Sequence, residues 1–264
     1  MRRLSLALVS TVSALAFTHI ASAADLPRKA PAYTPPPPPV YSWTGCYVGL
    51  NAGGVWGHMQ DDWTPNPAGF PASGPAVQAD GSTSMDGSGF TGGGQVGCNY
   101  QLNQFVLGAE ADIQYTGLDE SRDAFFPAAG GIGAITIHES FNSKWLATFR
   151  GRLGWLVNPA VLIYGTGGLA VANVDTTDSA FFAASGTNNT VSESTTRAGW
   201  TVGGGVEWRF APQWSVKAEY LYVDLGSFST TSANSNPALF PLATIDHDHH
   251  LTENIGRVGV NFHF

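Results

Sequence analysis

From Trp43 to Phe264 the chain carries eight stretches in which apolar and polar residues alternate. The connections between them follow a strict rhythm of long, short, long, short, long, short, long. The short turns lie near residues 101–104, 157–160 and 210–213, and the long connections near 58–87, 118–142, 175–193 and 227–250. Alternation of this kind has the period of a β-strand, whose side chains point to opposite faces in turn. Short turns at one end and long loops at the other are what an antiparallel barrel in an outer membrane shows. The pattern predicts an all-β fold: an eight-stranded antiparallel up-and-down transmembrane β-barrel with short periplasmic turns and four long extracellular loops.

The N-terminal residues read as an export signal. Arg2 and Arg3 precede an apolar run from Leu4 to Ile20, and Ala21-Ser22-Ala23 has the small-x-small pattern of a cleavage site, so residues 1–23 are expected to be removed. Residues 24–42 contain five consecutive prolines, Pro35 to Pro39, which favour extended polyproline II and cannot join a sheet ladder. They read as a periplasmic spacer, leaving residues 43–264 for the barrel. No later run reaches 18 apolar residues, so membrane crossing falls to strands. The formal charge is −8 and there is no basic run, which excludes nucleic acid as a partner. Charged residues make up only 12% of the chain, a scarcity that suits a wall in contact with lipid.

Sorting each strand by face gives two lists. One face is apolar and carries aromatics near the strand ends: Trp43, Trp56, Phe105, Tyr115, Trp145, Trp155, Trp200, Trp208, Trp214, Tyr222 and Phe264. Rings with a polar edge favour the two membrane–water interfaces. The other face holds Gly, Thr, Asn and Gln with a small set of charges: Glu110, Asp112, Arg150, Arg152, Glu207, Arg209, Lys217, Glu219 and Arg257. Four acids against five bases nearly cancel, and charges in a low-dielectric interior need partners. An eight-stranded interior is only wide enough for side chains. The set therefore reads as a self-satisfied plug, with a narrow charged channel as the alternative.

Several runs carry a family resemblance. They are WTGCYVGLNAGG at residues 43–54, FTGGGQVGCNYQ at 90–101, GAEADI at 108–113, RGRLG at 150–154 and YGTGGLA at 164–170. GWTVGGGVE at 199–207, KAEYLYVDLG at 217–226 and LTENIGRVGVNF at 251–262 complete the set. Together they resemble the small outer-membrane β-barrel family of outer-membrane immunogenic proteins, grouped with OmpA-like and porin-like barrels of Gram-negative cells. The resemblance covers the strands and not the long connections. It implies both termini in the periplasm and insertion by the barrel-assembly machinery, which reads a final aromatic; Phe264 fits that assembly signal. It implies a structural, antigenic or porin-like role. The family has aromatic residues where Cys46 and Cys98 stand, so this pair is a departure.

Cys46 and Cys98 are the only cysteines, both on the apolar face near the periplasmic rim of adjacent strands. In an oxidising compartment they form a disulfide if the register brings them together, and remain free thiols otherwise. Asp246-His247-Asp248-His249-His250 is metal-like in composition, but nothing in sequence fixes a ligand geometry and it reads as a solvated loop end. Asp61, Asp62, Asp80, Asp86, Asp119, Glu120 and Asp123 lie in long connections, where they are ordinary solvated acids or bridge through cations to lipopolysaccharide. His58 and His138 with Ser88 and Ser140 show no base–nucleophile geometry. Gly92–94 and Gly203–205 lack the helix and Lys of a phosphate loop. The reading is therefore no enzyme, no catalytic residue, no cofactor and no metal. The expected partners are outer-membrane lipid, lipopolysaccharide, the assembly machinery and an extracellular ligand or host surface met through the loops. The leading expectation is a structural barrel that supports envelope integrity and displays antigenic loops. A small-solute channel and a surface adhesin are the alternatives.

Overall fold

The computed structural model describes residues 41–128 and 133–264. Residues 1–40, which include a first unit, Met1–Pro38, lie outside the described residues, and with them the expected signal peptide and the proline run. Within the second unit eight antiparallel strands form a closed barrel in chain order. The elements are β1 (Gly45–Pro65), α1 (Gly74–Gly81), β2 (Thr83–Leu102), β3 (Phe105–Phe126), β4 (Ile135–Asn158), β5 (Val161–Phe182), β6 (Thr187–Ala211), β7 (Trp214–Asn234) and β8 (Thr244–His263). Strand β8 pairs with β1 from Tyr47 opposite His263 to Pro65 opposite Ile245, and this removes the last free edge.

The short turns are two-residue links. Asn103 occupies the left-handed region at φ 56°, which its short polar side chain tolerates. At the next turn the Asn158 side chain accepts a hydrogen bond from the Ala160 amide at 2.9 Å. At the opposite end the bounds differ from expectation. Most of the residues assigned to the four long connections are strand, and the true connections are only 66–82, 127–134, 183–186 and 235–243. The stretch from Phe105 to Tyr115 already matches the roughly 9–11 residues a tilted strand needs to cross the hydrocarbon. Yet β3 runs on to Phe126. The barrel therefore stands well clear of the membrane on its outer side.

Two strands change parity as they leave the lipid. In β4 the register shifts between Ser143 and Leu146, so odd residues face inward on the outer side and even residues below. In β7 it shifts between Asp224 and Ser227, where Gly226 has φ +71°. A bulge adds one residue to one strand and resets which side chains face in.

The interior is filled in layers. Trp43, Val106, Leu156, Leu162 and Tyr164 close the periplasmic mouth. A charged layer follows, then an apolar layer that includes Val55, Met59, Leu118, Phe141, Leu221 and Ile255. Above it lies a second polar layer, capped by Trp63, Phe70, Val77, Ile135 and Ile245. The sequence reading assigned Trp43 to the outer girdle. It is instead buried inside the mouth, where its indole N–H donates to Pro159 O at 3.1 Å.

Candidate functional site

The inner charged layer is built on the periplasmic halves of β3, β4, β7 and β8, where strand parity points Glu110, Asp112, Arg150, Lys217, Glu219 and Arg257 inward. Arg150 Nη2 lies 2.6 Å from Glu110 and 2.7 Å from Asp112, and its Nη1 reaches Glu219 at 3.1 Å. Lys217 donates to both Glu110 oxygens at 2.7 and 2.9 Å. Arg257 holds Glu219 through Nε at 2.8 Å and Nη2 at 2.6 Å, and Asp112 through Nη2 at 3.0 Å. Each of these three acids faces guanidinium or ammonium donors, and the group of three acids and three bases is neutral.

A second pair, Arg152 with Glu207, is stitched to this layer by two tyrosines. Arg152 donates to the Tyr47 hydroxyl at 3.1 Å, and Tyr47 donates to Glu110 at 2.6 Å. The Arg152 guanidinium lies 3.6 Å over the Tyr164 ring, whose hydroxyl donates to Glu219 at 3.0 Å. Glu207 also accepts from Ser215 and Asn261. Room for the two rings comes from glycine on facing strands. A Cβ at Gly97 would meet the Tyr47 hydroxyl at 2.4 Å, and one at Gly205 the Tyr164 hydroxyl at 2.7 Å.

Arg209 stands apart from the other eight charges. It sits at the periplasmic mouth, bound to the Ser42 carbonyl and 5.5 Å from the Trp43 ring, with no carboxylate within ion-pair distance among the described residues. The expected fifth base therefore clamps the entering chain, and the lumen balance is four acids to four bases. Neither tyrosine was singled out in the sequence as part of this network.

The outer polar layer departs further from expectation. His247 and His249 are buried within the barrel extension, at 1% and 0% exposure, and not at a solvated loop end. Asp246, Asp248 and His250 point outward, as alternation along β8 requires. Asp61, read as a loop acid, is also fully buried. It lies 3.4 Å from His249 Nδ1 and 3.8 Å from His247 Nδ1, and Asp178 lies 3.3 Å from His249 Nε2. Glu139 completes the layer and accepts from Arg122 at 3.2 Å. Burial and the charge of Asp61, with a further contribution from Asp178, push the Glu139 carboxyl up to about 7 against the pull of Arg122. Burial works against a charged His249 ring, but the Asp178, Asp61 and Glu139 carboxylates outweigh it and hold the imidazole above its ordinary value. A signal for both histidines was present: parity counted back from Arg257 along β8 places residues 249 and 247 on the inner face.

The remaining candidates fall outside these layers. Cys46 and Cys98 are opposed in the β1–β2 register and joined by a disulfide. His58 Nδ1 lies 2.6 Å from Asp86, and His138 Nδ1 lies 2.7 Å from Asp123, on the outer wall. Neither ring hydrogen-bonds Ser88 or Ser140. Gly92–94 and Gly203–205 lie inside β2 and β6. The Phe264 amide donates to Cys46 O at 3.0 Å, and its ring is exposed beside the strand ends.

The family model described as "Outer membrane protein beta-barrel domain" matches residues 4–264. A 31 kDa outer-membrane immunogenic protein of Brucella melitensis is 35% identical over 223 residues, covering 84% of this chain and 85% of that one. A 25 kDa outer-membrane immunogenic protein of Brucella abortus is 28% identical over 232 residues, covering 86% and 87%. Among solved structures, OprG of Pseudomonas aeruginosa aligns over 84% of this chain and 97% of its own, with 13% identity and a TM-score of 0.45. The closed eight-stranded ring, the family match across nearly the whole chain and the outer-membrane relatives agree: this chain belongs to the outer membrane protein β-barrel family and is a protein of the outer membrane.

Proposed function

We propose that this chain is a structural barrel with a closed lumen, which contributes to envelope integrity and carries its outer connections on a raised wall. The observation that carries this reading is the stacking of two sealed layers. The fully buried Arg150 and Glu207 sit in a hydrogen-bonded charge network, directly beneath an apolar layer containing Leu146, Leu221 and Ile255, each at 0% exposure. An ion crossing the second layer would shed its hydration against hydrocarbon side chains, which costs far more than thermal energy. Its partners in this role are outer-membrane lipid and lipopolysaccharide around the wall, and the barrel-assembly machinery acting on the strand that ends at Phe264. The test is conductance in a planar bilayer. Folded protein should leave the bilayer silent; steady solute-permeable openings that change on Arg150→Gln would overturn the closed lumen in favour of the channel.

A recognition role has one supporting observation. Phe125, Phe181, Leu239 and Leu242 are exposed beyond the lipid belt, Leu239 at 72%. Contiguous apolar groups exposed away from lipid mark contact surfaces, and Leu239, Phe240 and Leu242 share one connection. Adherence of cells to a host surface should fall on Leu239→Ser with Leu242→Ser while barrel assembly is retained; unchanged adherence removes this reading.

A further inference from the structure

We infer that Asp61, Asp178 and His247 hold a divalent transition-metal ion, of the Zn²⁺ class, inside the outer end of the barrel. One ligand atom from each of the three lies within 4.8 Å of the others, and all three residues are buried. These residues come from β1, β5 and β8, so only barrel closure assembles the site.

The donor atoms are available. Neither Asp178 oxygen has a hydrogen-bond partner, nor does Asp61 Oδ1 or His247 Nδ1, and each is shielded from solvent. Buried carboxylate oxygens in a native interior are almost always paired. Asp61 keeps one fixed contact, its Oδ2 accepting from the Trp63 indole N–H at 2.7 Å. His247 is oriented from behind, with Nε2 2.9 Å from Ser232 Oγ. With that nitrogen donating to the hydroxyl, the Nδ1 lone pair faces the Asp61 carboxylate. Metal-bound histidines are held in this way, one ring nitrogen on the metal and the other tied to an outer partner.

The histidine–Asp61 spacings leave room for a metal. His247 Nδ1 is 3.8 Å from Asp61 Oδ2, and His249 Nδ1 is 3.4 Å from Asp61 Oδ1. Both exceed the usual hydrogen-bond length. Ligands about 2.0–2.2 Å from Zn²⁺ in a tetrahedron lie roughly 3.4 Å from one another. Imidazole with carboxylates selects a first-row transition metal over Ca²⁺ or Mg²⁺, which take all-oxygen shells. His249 stands between the two carboxylates and is placed to be a fourth ligand or to steady them. Charge points the same way. Asp61 and Asp178 have no Arg or Lys within ion-pair distance among the described residues, since Arg122 is engaged by Glu139.

The wall beside the site is not fully laddered. Strands β6 and β7 pair from Trp200 to Ala211 and again at Asn189 and Thr190, but the seam is interrupted between Thr190 and Trp200. The β7 residues across this gap include Thr230, whose hydroxyl lies 3.2 Å from His249 Nε2.

The test uses full-length folded protein in detergent, stripped with a chelator and then titrated calorimetrically with Zn²⁺. One saturable site is expected, with Ca²⁺ unable to compete. Asp178→Asn and His247→Gln should abolish it, and Ser232→Ala should weaken it by roughly 10–100-fold, the usual effect of an outer-shell partner. His250→Ala, on the outer face, should leave it unchanged. Gel mobility with and without heating reports folding of each variant. Should the ligand variants fail to fold, Co²⁺ added to the wild type decides: a tetrahedral visible spectrum that Zn²⁺ erases supports the site. No saturable uptake, no such spectrum, or uptake lost with His58→Ala, His138→Ala or His250→Ala instead would overturn the proposal.

Discussion

Two buried ionic layers occupy one barrel, and they are built on opposite terms. In the membrane-embedded layer each carboxylate faces donors of matching geometry: Arg150 bridges Glu110, Asp112 and Glu219, and Arg257 holds Glu219 through two nitrogens. In the outer layer Asp61 and Asp178 face imidazoles at distances too long for good hydrogen bonds, and several oxygens have no partner. Burying a charge is tolerated when fixed donors replace its water. The inner layer meets that condition with its own side chains, so its work is to fill and hold the lumen. The outer layer does not meet it alone, and this is what distinguishes a packing device from a site.

The comparison can be broken most sharply at Arg150. Arg150→Met leaves Glu110, Asp112 and Glu219 short of their shared donor, and unfolding in urea from detergent or liposomes should show a loss of about 3–5 kcal/mol. Next in size is the covalent tie at the periplasmic rim. Cys46→Ser with Cys98→Ser should lower stability by about 2–4 kcal/mol, and reduction of the wild type should reproduce the change in the same denaturation curve. Gly97→Ala pushes a methyl group against the Tyr47 hydroxyl and disturbs the link between Arg152 and Glu110; overpacking of this kind costs about 1–3 kcal/mol. The smallest effect belongs to the outer layer. Asp178→Asn in metal-free protein should shift stability by less than about 1 kcal/mol, because its one charged contact, the His249 ring at 3.3 Å, is longer than a good hydrogen bond and relief of an otherwise unpaired buried carboxylate offsets its loss. A loss as large as that of Arg150→Met would show that both layers are structural and erase the distinction between them.

Much of the membrane-embedded part was legible because it obeys simple alternation. Glu110, Arg150, Glu207, Glu219 and Arg257 were sorted to the inner face, and the structure brings them into contact. The neutral partners Tyr47 and Tyr164 were hidden because a tyrosine on an inner face has no required partner until the opposite wall is in place. Arg209 was assigned by parity alone, which gives the face but not the height; it lies at the mouth, bound to the Ser42 carbonyl, with no carboxylate within ion-pair distance among the described residues. The outer layer was missed for another reason. Residues 58–87 and 227–250 are rich in Ser, Asp, His and Gly, a composition that reads as loop, so the parity of β1 and β8 was not carried through them. The bulges at Ser143 and Gly226 reset that parity in β4 and β7, so no single count would have aligned all eight walls.

What the chain determined by itself was the number of strands, the lipid-facing belt and which charged residues of the membrane-embedded strands face inward. Each follows from the two-residue period of a strand and from the low charge a lipid-facing wall demands. What the closed barrel alone decided was contact between distant strands: which acid meets which base, the depth of the apolar seal, and the meeting of Asp61, Asp178 and His247 from three separate walls. The physical reason is that alternation fixes only a side chain's direction. Its neighbours across the interior depend on register and closure, which are set by all eight strands together.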